Sequence, residues 1–215
     1  MIDQSINYTM TRRNDEEFEE RRQRIIDAAL HVFAGKGFER ATNKEVAQAA
    51  GIASPGLIYH YFKDKADLFR QVVEQRVPLL QLLAHPEELM ALPPEEALTR
   101  FGRAYLRISE NREAVAFMKL VVGEAVRRPA VARLLDEIGP SRAFRFLVLY
   151  LERQMDAGVL RRVDPAGAAR SFFGPLIVFL VTREVLQHPD ATRADPEAVL
   201  ATSLDIFLRG MRPDP

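Results

Sequence analysis

The chain of 215 residues contains no cysteine, which excludes disulfides, thiolate metal sites and a cysteine nucleophile. Neither sign of charge is in excess, because 30 lysines and arginines balance 30 aspartates and glutamates. Long apolar runs are also missing. The longest, residues 172–181, contains Gly174 and Pro175 and is far shorter than the roughly 20 residues that span a membrane. We therefore expect a buried helix at this position.

Several kinds of site have no support in the sequence. His85 and His188 each precede a proline and form no spaced cluster with acidic residues, so we predict neither a metal site nor a bound cofactor. A catalytic set of nucleophile, base and orienting group is not recognisable, so an enzyme is not expected. Residues 1–15 are polar and lack periodicity, which predicts a disordered tail. They include no apolar stretch typical of a signal peptide, and we expect a cytoplasmic protein.

Apolar residues recur with a period near 3.6, and no strand-like alternation stands out, so we predict an all-α fold. A first helix is expected over residues 16–34, followed by short helices after Thr42 and Ser54 and a fourth from about residue 64. Residues 85–97 contain three prolines and suggest a linker with one turn of helix. Later helices are predicted at 94–109, 111–127, 130–137, 141–157, 165–187 and 196–211.

The two short helices have clear start signals. Thr42 precedes Glu45 by three residues, the spacing of a capping box. Gly51 ends that helix, and Ser54 can cap the next one with Pro55 at its first position. Two short helices joined by a tight glycine turn are typical of a helix-turn-helix, in which the second helix enters the major groove of DNA.

The composition of the second helix agrees with this use. Ile58 and Phe62 lie one turn apart and can share the inward face, while Tyr59, His60 and Tyr61 between them cannot all be buried. Exposed hydroxyl and imidazole groups bind phosphate oxygens and base edges. Amphipathic core packing is the alternative for this cluster. Residues 36–70 contain six basic and four acidic side chains, so charge alone does not point to DNA.

Residues 37–69, GFERATNKEVAQAAGIASPGLIYHYFKDKADLF, resemble the DNA-binding signature of the tetracycline-repressor (TetR) family. The shared features are glycine–aromatic, threonine, valine–alanine, alanine–glycine, an isoleucine-tyrosine-x-tyrosine-phenylalanine block and a later lysine. The turn at residues 51–54 is one residue longer than usual, so the resemblance leaves the identity of the base contacts open. It implies contacts with double-stranded DNA from Thr42, Lys44, Ser54, Pro55, Gly56, Leu57, Tyr59, His60, Tyr61 and Lys65. Arg21, Arg22 and Arg24 are interpreted as a solvated helix face; added DNA contacts from the first helix are the alternative.

The resemblance also implies two domains, a DNA-binding domain over 16–66 and a ligand-binding and dimerisation domain over 67–215. Family members dimerise through their last two long helices, here near 165–187 and 196–211. Independently, residues 171–186 are apolar on nearly every side and need cover from a partner as well as from their own core. The implied effector pocket contains Phe117, Met118, Val121, Leu147, Tyr150 and Leu151. These six residues can equally be ordinary core.

The sequence therefore predicts a ligand-responsive regulator, most simply a homodimeric repressor that binds a pseudo-palindromic operator and is released by a small hydrophobic effector. A transcriptional activator or an effector-independent regulator of the same fold is the alternative. Pro78 allows two predictions. If the fourth helix continues through it, the helix is kinked there and forms a hinge; otherwise Pro78 ends the helix.

Overall fold

The computed structural model describes residues 3–127, 133 and 136–213, and these residues form helices without any strand. The all-α prediction is confirmed. The helices are α1 Asp3–Lys36, α2 Asn43–Ala49, a 3₁₀ helix Pro55–His60, α3 Lys65–Arg76, α4 Pro78–Leu82, α5 Pro86–Met90, α6 Pro94–Leu106, a 3₁₀ helix Arg107–Glu110, α7 Arg112–Arg127, α8 Pro140–Asp156, α9 Pro165–Leu180 with a π-helical continuation Val181–Val185, α10 Pro189–Arg193 and α11 Pro196–Gly210. The helix predicted at 130–137 lies mostly outside the described residues.

The chain divides into two compact units, Met1–Val72 and Val73–Pro215. This boundary lies six residues beyond the predicted one at residue 66. In the first unit, α1 buries Ile25, Ile26 and Phe33, and later elements contribute Phe62 and Phe69 to the core. The apolar positions of α1 are those that the helical period predicts.

Helix α1 begins at Asp3, although the sequence pattern predicts a start near residue 16 and a disordered tail before it. For residues 3–15 the expectation of disorder is therefore corrected to helix. The physical reason is that no glycine or proline occurs before Gly35. Each added residue then extends an existing helix at little cost, without requiring an apolar face of its own.

Pro78 does not lie inside a helix. Helix α3 ends at Arg76, Val77 has extended backbone angles (φ −97°, ψ 109°), and Pro78 is the first residue of α4. Proline suits that position because the amide hydrogen it lacks has no partner there. The structure thus corrects the kinked-helix hypothesis in favour of a helix end.

The second unit has an aromatic core to which α6, α8, α9 and α11 contribute. The ring of Phe101 lies 5.2 Å from that of Phe173, and Phe172 lies 5.4 Å from Phe207. By length and composition alone, Pro165–Val185 is apolar enough to cross a membrane, but a single helix of this kind is weak evidence. Phe172, Phe173 and Leu176 of this helix pack into the core of the unit.

Candidate nucleic-acid interface

Helix α2 starts with a complete capping box. The Thr42 hydroxyl accepts a hydrogen bond from the Glu45 amide at 3.3 Å, and the Glu45 carboxylate accepts one from the Thr42 amide at 3.1 Å. Lys36, at the end of α1, pairs with the same carboxylate. Hydrogen bonds from Lys36 and Thr42 lower the pKa of Glu45 below its ordinary value. These contacts fix the start of α2 and leave the Glu45 carboxylate hydrogen-bonded to Lys36 and Thr42.

The turn after α2 depends on glycine. Gly51 has φ +66°, a left-handed conformation that costs other residues free energy. Its amide donates to the Gln48 carbonyl at 3.2 Å, and the Ile52 amide donates to the Ala47 carbonyl at 3.0 Å. The last carbonyls of α2 are thereby paired, and the chain is redirected toward the next helix.

The second helix of the motif is a 3₁₀ helix of six residues, Pro55–His60, which we call the recognition helix. The Ser54 hydroxyl caps it by accepting from the Gly56 amide at 3.2 Å. Ile58 within the helix and Phe62 just beyond it are only 1% and 2% exposed. Both caps and both inward anchors therefore agree with the sequence prediction.

Seven of the ten predicted DNA-contacting residues are exposed to solvent. Tyr59 is 60% exposed, and His60 beside it is also exposed. We call this set the contact face; its exposed members are Thr42, Lys44, Ser54, Pro55, Gly56, Tyr59 and His60. The face offers hydroxyl, imidazole and ammonium groups, and none of its members is acidic.

The three remaining predicted contacts, Leu57, Tyr61 and Lys65, are half-buried. The ring of Tyr61 packs on that of Phe18 in α1, with centroids 4.5 Å apart. Lys65 donates through Nζ to the carbonyl oxygens of Glu39 and Ala41, both at 3.2 Å. The same ammonium lies 4.7 Å from the centroid of the Phe38 ring. Lys65 thus stabilises the loop before α2, a role that differs from the predicted DNA contact.

Carboxylates near the contact face are held by other groups. Asp67 accepts from the Lys63 amide at 2.9 Å, and Asp64 accepts from the Asp67 amide at 2.7 Å. Glu45 is held by Lys36 and Thr42. Three of the four acidic side chains of residues 36–70 thus accept hydrogen bonds near helix starts, while keeping their negative charge.

Arg22 departs from its predicted position on a solvated face. Its side chain is half-buried, its guanidinium lies 5.7 Å from the centroid of the Phe62 ring, and it donates to the side chain of Gln71. Arg21 and Arg24 are exposed, as predicted. The sequence offers one indication that Arg22 is not solvated. It lies four residues after Phe18, and this spacing places both side chains on one side of α1.

The predicted effector residues fall into two groups. Leu147, Tyr150 and Leu151 are fully buried, and Met118 is half-buried against the same core. The side chains of the other two, Phe117 and Val121, lie outside the described residues, although both positions belong to α7.

Burial raises the pKa of two tyrosines of the second unit. The Tyr150 hydroxyl donates to the Leu92 carbonyl at 2.8 Å, and burial raises the pKa of Tyr150 to about 12. Burial raises the pKa of Tyr105 as well. Within the described part of the chain, no group of three histidine, aspartate or glutamate side chains is arranged to hold a metal ion.

Helices α9 and α11 border an open groove of about 570 Å³, whose lining includes Pro175, Ile206 and Phe207. None of the four predicted effector residues whose side chains the structure describes, Met118, Leu147, Tyr150 and Leu151, lines it. Ile206 is 67% exposed, and Val178 on α9 is 60% exposed. These two helices thus present apolar side chains outward as well as inward.

Comparison with known protein families agrees with this geometry. Residues 25–72 match the family described as bacterial regulatory proteins, tetR family. Residues 96–211 match the C-terminal domain of AefR-like transcriptional repressors. The first match contains α2, the turn and the recognition helix, and the second contains the aromatic core of the second unit.

Individual relatives match either a part of the chain or most of it. The regulator AcrR of Shigella flexneri is 43% identical over 65 residues, 30% of either chain, and YvkB of Bacillus subtilis is 25% identical over 193 residues, 89% of this chain and 97% of YvkB. For three curated relatives, the aligned part is 30–58% of their own length. The solved structure of the flavonoid-responsive regulator FrrA is 29% identical, covers 92% of this chain and 100% of its own, and has a TM-score of 0.61. The chain therefore belongs to the TetR family of bacterial transcriptional regulators, and its N-terminal unit carries the DNA-binding helix-turn-helix of that family.

Proposed function

We propose that the protein is a dimeric repressor that binds a pseudo-palindromic operator through the contact face and is released from it by a small hydrophobic effector. The observation that carries this proposal is the contact face itself. Its donors are exposed, while the caps and core residues that hold its two helices are satisfied within the first unit. The similarity to AefR-like repressors supports repression over activation.

The chemistry of the contact face suits phosphate and base edges. Lys44 supplies a positive charge, and Thr42 and Ser54 lie at helix starts, where backbone amides and the helix dipole favour anions. Tyr59 and His60 add groups that hydrogen-bond to base edges or phosphates. Pro55 and Gly56 have little side-chain bulk, so the start of the recognition helix can approach the major groove of DNA closely.

The outward apolar residues of α9 and α11 support a dimer. Val178 and Ile206 are mostly exposed in the single chain, and exposed apolar patches typically mark interaction surfaces. Two copies related by a twofold axis bury the same patch on each chain. Such a dimer presents two recognition helices to half-sites about one DNA turn apart.

A hydrophobic effector fits the composition of the second unit and the name of one relative. Phe101, Phe146 and Phe173 pack among Tyr105 and Tyr150, and apolar, aromatic surroundings suit ring-bearing ligands. FrrA responds to flavonoids. We take flavonoids as the first class of effector to test.

A contact at the end of α3 supports a route for the ligand response. Arg142 of α8 lies 3.5 Å from Glu74 in the last turn of α3 and donates to the Leu83 carbonyl at 2.8 Å. Helix α3 begins at Lys65, next to the contact face. If an effector shifts α8, Arg142 carries the shift to Glu74, at the end of the helix that leads out of the DNA-binding unit. We propose this contact, rather than Pro78, as part of the coupling.

The test starts by selecting duplexes from fragmented genomic DNA with the purified protein and footprinting the enriched sequence. We expect two symmetric half-sites about one turn apart and a dimer in sedimentation experiments. Adding the flavonoid quercetin is expected to release the duplex, and unchanged binding in its presence contradicts this class of effector. Selective binding without twofold symmetry contradicts the dimer, and absence of any selective binding contradicts the proposed function.

A further inference from the structure

The middle of α1 contacts the residues that follow the recognition helix. Phe18 and Arg22 lie four residues apart on this helix, ahead of residue 25, where the family match begins. Phe18 packs its ring on Tyr61, with an angle of 32° between the ring planes. Arg22 lies over the neighbouring ring of Phe62. One face of α1 thus contacts two consecutive aromatic residues.

These contacts are important because the recognition helix is only weakly stabilised by its own hydrogen bonds. A 3₁₀ helix has poorer hydrogen-bond geometry than an α-helix, and this one has only six residues. At its end, the Tyr61 and Phe62 amides both donate to the Ile58 carbonyl, at 3.0 and 2.9 Å. Phe62 is fixed by burial, but Tyr61 is only half-buried. The Tyr61 ring contacts Phe62, with centroids 6.4 Å apart, and lies closer to Phe18, at 4.5 Å, so Phe18 helps to set its orientation.

We propose that Phe18 is a positioning residue for DNA binding that acts through Tyr61. By packing on Tyr61, Phe18 fixes the end of the recognition helix, one and two residues from His60 and Tyr59. Phe18 itself remains 42% exposed, so its removal leaves no large cavity. The inference rests on the proposed DNA-binding role of the contact face.

The size of the effect follows from the energy of an aromatic pair. Loss of such a pair reduces affinity about threefold to tenfold for one recognition helix. In a dimer both recognition helices are affected, so the affinity for DNA falls by the square of this factor, about tenfold to a hundredfold.

The test is a double-mutant cycle on affinity for the duplex that the wild-type protein selects. Phe18→Ala, Tyr61→Ala and the double variant are compared with wild type, and each dissociation constant is expressed per active dimer after stoichiometric titration. We expect Phe18→Ala to cost at least about tenfold in the wild-type background but less than about threefold once Tyr61 is alanine. Phe18→Tyr, which keeps the ring, is expected to restore the affinity.

Two controls separate positioning from folding. Leu149→Ala changes another exposed apolar residue, 53% exposed on α8, and is expected to leave affinity unchanged. If Phe18 is merely structural, its alanine variant has a lower melting temperature and a smaller active fraction, but active dimers bind as wild type does. That result, or additive effects of the two alanines, overturns the inference while leaving the proposed function intact. If the wild-type protein selects no duplex, the proposed function and the inference both fail.

Discussion

Two lysines of the DNA-binding unit are expected to respond differently to the same substitution. Lys44 is exposed on the contact face, whereas Lys65 uses its ammonium on the Glu39 and Ala41 carbonyls and on the Phe38 ring. Substitution by glutamine removes the charge in each case. We therefore predict that Lys44→Gln changes the electrostatics of DNA binding, and that Lys65→Gln chiefly changes stability.

The magnitudes follow from these contacts. Each phosphate contact contributes about 0.9 to the slope of log affinity against log salt, so a dimer without Lys44 loses about 1.8 from that slope. Lys65 makes two charge-assisted hydrogen bonds and one cation–π contact at a half-buried site. Their loss lowers the free energy of unfolding by about 2 kcal/mol, which is roughly 4–8 °C in melting temperature for a chain of this size.

The assay measures operator affinity across a salt series together with thermal unfolding of each variant. Lys44→Gln should flatten the salt dependence with an unchanged melting temperature. Lys65→Gln should melt earlier, with a salt slope close to that of wild type. The reverse pattern, with a flattened slope and wild-type stability for Lys65→Gln, would refute the assignment of Lys65 to the loop before α2.

Four further predictions concern other parts of the molecule. Gly51→Ala places a side chain at φ +66° and should lower the free energy of unfolding, measured in urea, by about 1–2 kcal/mol. Gly51→Asn should lower it less. Equal stability of all three proteins would show that the turn tolerates any residue. Ile206→Asp should give monomers in sedimentation and abolish operator binding, while Leu149→Asp, a control at another exposed apolar residue on α8, should remain dimeric; a dimeric Ile206→Asp protein would exclude this face. Between pH 10 and about 12, an unfolded tyrosine ionises before folded Tyr150 does, so stability should fall across this window. The fall should be smaller in Tyr150→Phe, and an identical pH dependence would contradict the role of burial. Arg142→Gln should weaken effector-induced release more than ligand-free operator affinity; an equal change in both would argue against coupling through Glu74.

Local features of the site were predictable from the sequence because they depend on short spacings. Thr42 and Glu45 form their capping box within one turn, and Ser54 caps the helix that immediately follows it. The inward positions of Ile58 and Phe62 follow from helical spacing, which also forces Tyr59 outward. Such patterns require no knowledge of distant parts of the chain.

Features that depend on distant contacts were not predictable in this way. Tyr61 packs on Phe18, 43 residues earlier in the chain, and Lys65 reaches carbonyl groups of a loop 24 and 26 residues before it. Nothing in the local pattern indicates either partner. Pro78 had two acceptable local positions, inside a kinked helix or at a helix start, and the extended backbone of Val77 decides between them.

The most direct test of the account is selection of duplexes from genomic DNA by the wild-type protein and by a Tyr59→Ala/His60→Ala variant. Both residues are exposed, so the variant should fold and melt as wild type does. We predict that the wild-type protein enriches one symmetric sequence, with affinity that rises steeply as salt falls, and that the variant enriches none. Equal enrichment of the same sequence by both proteins would contradict the assignment of DNA recognition to the contact face.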